Sequence, residues 1–160
     1  MNKIVVRKAN SNDYEAICRL LQQLDELHIE LYPEIFQRIA GPPREYDQVL
    51  KWIENPDSEI IIVETEFQKV VAVMKLIIEN SPQYANFKQE KYLLIDEIVV
   101  DDAYRSKGTG SLLIDEARDW AEQRNLNHIE LNVYDRNKGS LKFYEKLGFE
   151  TLKRRMKLDF

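Results

Sequence analysis

The feature that most narrows the fold lies in the second half of the chain. A β-forming run over 92–100 is followed by a charged turn with two glycines, a helical run from Gly108 to about Arg124, and a second β-forming run over 128–134. Two strands separated by a helix are too far apart in sequence for a tight hairpin. The chain is expected to cross over and return parallel, with the helix on one face of the sheet. Leu113, Ala117, Trp120 and Ala121 fall on one side of that helix, the side it must bury.

The rest of the chain supplies the remaining layers. Residues 4–6 read as a short strand. The polar stretch Asn10, Ser11, Asn12, Asp13 offers several helix N-caps, with Glu15 in the first turn. Ile17, Leu20, Leu21, Leu24, Leu27 and Leu31 then recur at helical spacing, and Pro33 ends the run. A second helix is expected over 44–54, stopped by Asn55 and Pro56. Runs over 59–65 and 69–79 read as a hairpin whose short connection, 66–68, lacks the usual glycine. Residues 80–90 read as a loop, 137–147 as a short helix closed by Gly148, and 149–158 as a final strand. Three consecutive strands followed by a crossover imply an α/β (α+β) mixed sheet with flanking helices. With no linker, repeat or low-complexity stretch, 1–160 is expected to form a single domain.

Composition narrows the function classes. Apolar residues make up 44% and charged residues 32% of the 160, which fits a folded chain with a substantial core. No apolar run approaches the ~18 residues of a membrane span, and the apolar part of the N-terminus is too short for a signal peptide. A net charge of −5 without a long basic tract gives no support to nucleic-acid binding. Cys18, the one cysteine, excludes an internal disulfide and disfavours a thiolate metal site; buried packing is the role expected of it. The expectation is a cytoplasmic protein without metal, nucleic-acid or membrane partners. The basic run Lys153, Arg154, Arg155, Lys157 reads as the solvated edge of the last strand.

The glycine turn carries the chemistry. A helix start leaves backbone N–H groups unpaired and its dipole favours negative charge. Gly108 and Gly110 permit close backbone approach and positive φ, and Arg105 and Lys107 add positive charge. Phosphate or pyrophosphate is the natural guest, although a basic turn with two glycines can also be a plain connection. The dinucleotide pattern fails because Leu113 stands at its third glycine. The Walker pattern fails because Gly108-Thr109-Gly110 lacks Gly-Lys-Ser/Thr. What remains is Arg-x-x-Gly-x-Gly after a strand.

One strand and one helix later comes VYDRNKGSLKFYEKLGFE, residues 133–150. Arg105-Ser-Lys-Gly108-Thr-Gly110, together with Asn137 and Phe143-Tyr144-Glu145-Lys146-Leu147-Gly148-Phe149, resembles the GNAT superfamily of acyl-CoA-dependent N-acetyltransferases. The likeness is good over 92–149 and is limited to element order before that.

The resemblance implies a mostly antiparallel mixed sheet with one splayed parallel strand pair, and acetyl-CoA as co-substrate. The pantetheine arm would pair with the backbone of Ile98, Val99 and Val100. The pyrophosphate would sit on the amides of Ser106, Lys107, Gly108, Thr109, Gly110 and Ser111 beside Arg105, and Asn137 would lie near the coenzyme. Tyr144 is implied as the general acid toward the departing thiolate, and Asp96 or Glu97 as the base, with Glu97 preferred. Each also has a plainer reading: Ile98 to Val100 as buried strand, Asn137 as a helix N-cap, Tyr144 as a packed aromatic. Ser106 replaces a glycine common in the family, so the turn there must avoid positive φ or bear strain.

The implied reaction is acetyl transfer from acetyl-CoA to a primary amine of a small molecule or peptide, with a homodimer as the oligomeric form the resemblance suggests. A protein N-terminal or lysine acetyltransferase, or a non-catalytic acyl-CoA sensor, are the alternatives. In this fold the first two helices border the acceptor site. Glu26, Glu30 and Glu34 are candidates for steering a cationic amine, with an ordinary solvated helix face as the plainer account. Tyr84, Phe87 and Tyr92 are candidate cleft residues by position alone. His28 reads as a surface or pocket-rim residue and not a metal ligand.

Overall fold

The computed structural model describes residues 4–160. Asn10 opens the helical layer with a capping box. Its side chain accepts from the Asn12 N–H at 2.9 Å, and the Asp13 carboxylate accepts from the Asn10 N–H at 2.8 Å. One tight turn leads into α1 (Tyr14–Leu31), whose Ile17, Leu20 and Leu21 are buried. Helix α2 spans Tyr46–Glu54, starting two residues later than the spacing predicts. The Arg44 carbonyl is used sideways instead, accepting from the Tyr14 hydroxyl at 2.8 Å.

Five strands make one sheet in the order β1-β2-β3-β4-β5. These are β1 (Ile4–Lys8), β2 (Ser58–Thr65), β3 (Val70–Asn80), β4 (Lys91–Val100) and β5 (Ile129–Leu131). The first three pairings are antiparallel, and β4 with β5 is parallel. The crossover helix is α3 (Thr109–Glu122), and α4 (Lys138–Lys146) follows β5. The β2–β3 turn manages without glycine because Gln68 takes a left-handed conformation, φ +60°.

Two cores lie on opposite faces of the sheet. On one, Leu113, Ile114, Ala117, Trp120 and Ala121 of α3 pack on Ile61, Val63, Met74, Leu76, Leu93 and Ile95. On the other, α1 and Val49 of α2 pack on Ile60, Ile62, Val73 and Val99. Burying each large aliphatic side chain contributes about 1.5–3 kcal/mol before entropy is counted, so the sheet is fixed from both sides.

Two expectations are corrected. Strand β5 is three residues long, against the seven expected over 128–134, because β4 offers it partners only at residues 93–95. The final strand over 149–158 is not formed. Residues 150–160 form neither helix nor strand, and Leu152, Met156, Leu158 and Phe160 lie at 74%, 91%, 84% and 116% exposure. Alternation gives a segment two faces, but it becomes a strand only when a neighbouring backbone takes its N–H and C=O groups.

Candidate active site

The site begins with an extra residue in β4. Its register with β3 runs Ile98 opposite Met74 and Glu97 opposite Lys75, then jumps to Ile95 opposite Leu76, so Asp96 is the bulged residue. A bulge reverses which side chains face which side. Leu93 and Ile95 point into the α3-side core, whereas Val99 joins the α1–α2 core. Asp96 and Glu97, neighbours on a strand, therefore both reach partners on the α1–α2 side. The Lys75 ammonium, lying 3.6 Å from the centre of the Trp52 ring, donates to Asp96 at 2.7 Å. Glu97 accepts from Arg44.

The bulge also parts the parallel strands. β5 pairs only with Leu93, Leu94 and Ile95, so Ile98, Val99 and Val100 have no neighbour on that side. The Val100 carbonyl accepts from Arg105 Nε at 3.1 Å. Above this gap comes the glycine turn. Ser106 takes φ +59°, bearing the strain that the missing glycine would have avoided, and Gly108 at φ +87° stands at the N-cap of α3. A side chain at Gly108 would meet open space, whereas a Cβ at Gly110 would lie 3.0 Å from Phe143 of α4. Gly110 thus lets α3 lie close against α4, a role the spacing alone does not reveal.

Among the described residues, no protein group accepts a hydrogen bond from the backbone N–H groups of residues 106–111; the first bonded amide is that of Leu112, to the Gly108 carbonyl. Arg105 and Lys107 flank these donors. Arg105 pairs with Asp102 at 2.7 Å, and Lys107 donates to the Ala103 carbonyl at 2.8 Å. The structure therefore presents an open arc of donors, a helix positive end and two cations, which is what a diphosphate requires. The residues present fit the coenzyme that the turn implies.

Tyr144 packs at the edge of the α3-side core with Phe143 and Phe149, ring centres 5.3 and 5.7 Å away. Burial pushes its phenol up to about 12, so the hydroxyl holds its proton throughout the neutral range. Asn137 caps α4, its side-chain oxygen accepting from the Ser140 N–H at 3.1 Å.

Arg44, not singled out by sequence reasoning, gathers two carboxylates on the α1–α2 side of the sheet. It follows the Gly41-Pro42-Pro43 break, and its guanidinium donates to Asp25 at 3.0 Å, to the Pro43 carbonyl at 2.7 Å and to Glu97. Burial works against the Arg44 charge, but the bonds to Glu97 and Asp25 outweigh it and raise its pKa. Glu97 Oε2 is buried and has no hydrogen-bond partner. One guanidinium facing two carboxylates leaves the group with one net negative charge. Beside it, burial lowers the His28 pKa. Its ring stacks on Phe36 at 4.9 Å and meets Tyr134 at 5.3 Å, with Tyr32 5.0 Å from Tyr134. No periodicity announces this aromatic wall, because Phe36 and Tyr134 lie in irregular segments.

Other expected cleft residues are elsewhere engaged. Glu26 pairs with Arg38 at 2.7 Å and Glu34 with Arg136 at 2.8 Å, so much of the steering charge expected there is cancelled, and Asp25 takes the inward place. Tyr84 and Phe87 lie tilted against each other, ring centres 6.1 Å apart, in an exposed loop. Tyr92 stacks on His128 at 5.2 Å, at the opposite end of β4 from the glycine turn. Among the described residues no group of three or more His, Cys, Asp or Glu is placed to hold a metal, and no helix is long and apolar enough to cross a membrane.

Comparison with known proteins agrees with this geometry. The model of the Acetyltransferase (GNAT) family matches residues 21–149. An uncharacterized N-acetyltransferase of Methanocaldococcus jannaschii is 39% identical over 41% of this chain, and the L-ornithine N5-acetyltransferase NATA1 of Arabidopsis thaliana is 31% identical over 90%. The matched regions span 29% and 62% of those two proteins' lengths. Among solved structures, a tetramutant of the BH1408 protein from Bacillus halodurans is 26% identical, with a TM-score of 0.92 over 98% of this chain and 99% of that one.

Proposed function

The chain belongs to the acetyltransferase (GNAT) family, and on that premise we propose that it is a single-domain N-acetyltransferase. It carries an acetyl group from acetyl-CoA to the primary amine of a small molecule or peptide. The observation that carries this reading is the continuity of the partnerless amides of 106–111 with the β4 backbone freed by the bulge at Asp96. Ser106, Lys107, Gly108, Thr109, Gly110 and Ser111 would hold the diphosphate beside Arg105, with Asn137 nearby. Ile98 and Val99, and the free N–H side of Val100, would pair with the pantetheine. The coenzyme supplies one thing when bound, an electrophilic thioester carbonyl.

The chain's own residues do the rest. An amine is protonated near neutral pH and must lose a proton before it attacks. Glu97, through Oε2, is the group on this face without a partner to accept that proton, directly or through water; Asp96 is committed to Lys75. The single net negative charge around Arg44, Asp25 and Glu97 favours a cationic acceptor over an anionic one. Tyr144, whose phenol burial keeps protonated, would protonate the departing thiolate. The relative that acts on ornithine at N5 supports an aliphatic amine.

Calorimetry with coenzyme A, followed by thiol release from acetyl-CoA against an amine panel, tests the proposal. Saturable binding and amine-dependent thiol release are expected. Absence of binding overturns it. Binding without turnover on any amine or peptide favours an acyl-CoA sensor instead.

A further inference from the structure

Acetyl transfer to a protonated amine leaves a proton behind at every turnover. An ammonium ion gives up two protons on becoming an amide; one ends on the coenzyme's sulfur and the other must reach bulk water. Glu97, the group proposed to take that second proton, is poorly placed to pass it on. Its side chain is 15% exposed, Oε2 is buried without a hydrogen-bond partner, and Oε1 is held by Arg44. Asp25 is held by the same guanidinium. A further base between Glu97 and water would complete the route.

His28 stands at that position. It follows Asp25 by three residues on α1, which puts both on one side of the helix. It is half-buried, its ring stacked on Phe36 and edge-on to the exposed Tyr134. The titratable and charged groups facing it are Asp25 of α1, Arg44 ahead of α2, Glu97 of β4 and the Tyr134 phenol beyond β5. His128 has Glu130 at 3.1 Å, whereas neither ring nitrogen of His28 has a hydrogen-bond partner among the described residues. Burial is the largest influence on its pKa and, with Arg44, lowers it against the pull of Asp25 and Glu97. The ring is therefore neutral at pH 7 and has one nitrogen free to accept a proton.

We propose that His28 is the outlet for the acceptor's proton, taking it from Glu97, directly or through water, and releasing it to solvent. The inference rests on the acetyl-transfer reading and adds a residue to it. The N–H bond of the ammonium breaks with its electron pair left on nitrogen, which becomes the nucleophile. The proton passes to Glu97 Oε2, then to a ring nitrogen of His28, then from the imidazolium to water. Glu97 and His28 both return to their starting forms, and the step consumes nothing else. His28 acts through Glu97, so its loss slows turnover and leaves the binding of both substrates in place.

The test compares the native chain with His28→Phe, which keeps an aromatic ring against Phe36 and Tyr134 and removes the base. At neutral pH kcat for amine-dependent thiol release is expected to fall ~10-fold or more. KM for the amine and affinity for coenzyme A are expected to change less than about twofold. The native kcat is expected to decline below pH ~6.5, where His28 takes up its own proton, and His28→Phe to lack that limb. His28→Ala supplies a second readout. Its rate is expected to recover in imidazole and not in pyrazole, a ring of the same shape and far weaker basicity. A His28→Phe variant as fast as the native chain overturns the proposal, and so does equal recovery of His28→Ala in the two compounds. A native chain that releases no thiol with any amine overturns the acetyl-transfer reading itself, and this inference with it.

Discussion

Tyr144 and Glu97 occupy opposite electrostatic settings, and their tests differ accordingly. Burial pushes the Tyr144 phenol up to about 12, so it does not ionise in the range where most amines titrate. Tyr144→Phe removes a donor without changing the ring's packing. We expect kcat to fall by ~10²-fold or more, with the affinity for coenzyme A changed less than about twofold; single-turnover kinetics and calorimetry separate the two. Around Glu97 the expected effects are unequal. Arg44→Met leaves the buried Glu97 carboxylate without a counter-charge and should cost ~1–3 kcal/mol. Glu97→Gln leaves Arg44 still paired with Asp25 and should cost less than ~1 kcal/mol, while kcat/KM for the amine falls sharply. Urea unfolding measures the first pair of numbers and initial rates the second. The Tyr144 and Glu97 positions were legible in the sequence because motif and strand carry them. Arg44 was not, since it sits in an aperiodic break and acquires meaning only by meeting a residue 53 positions away.

Elements are where the bulge and the helix start work together. Plain alternation along a strand would put the neighbours Asp96 and Glu97 on opposite faces. The structure places the bulge at Asp96, and a local run of strand-forming residues contains no signal for where one extra residue will fall. The start of α3 was more readable, because a glycine N-cap with no side-chain cap bond leaves its amides open by construction. A pair of near-isosteric substitutions separates charge from shape there. Asn and Asp bear the same backbone strain at the left-handed Gly108, and a side chain there meets open space. Gly108→Asn is expected to weaken coenzyme A binding mildly. Gly108→Asp is expected to weaken it ~10-fold or more beyond that, while its melting temperature stays at or above that of Gly108→Asn, because Asp is a favourable cap.

At the scale of the molecule, ion pairs link the layers and set the response to acid. Arg7 joins β1 to Asp13 and to Glu64 of β2, and Arg19 of α1 reaches Asp101 and the Val70 carbonyl. Burial alone would raise Asp13 and Asp101, but their arginine and backbone donors outweigh it and hold both below the usual carboxylate range. Their stabilisation is present above the unfolded value of ~3.9 and is lost as pH falls through the lower folded values. His28 behaves likewise in an earlier window. Burial lowers it, so the unfolded chain binds the proton first, and stability declines as pH drops below ~6.5. Urea midpoints from neutral to acid pH should therefore fall in two stages, and His28→Gln should remove the first stage alone.

The sequence by itself determined the order of elements as far as α4, the parallel crossover, the two helical faces that bury, and the donor-rich turn ahead of α3. Each of these depends on residues close together along the chain, through spacing, capping and turn chemistry. Tertiary structure alone decided where β4 bulges, which carboxylate Arg44 meets, how closely Gly110 lies against Phe143, and that residues 150–160 form no strand. Those outcomes depend on register and on packing between distant segments, and a pattern along one segment says what it can bury but not against which neighbour.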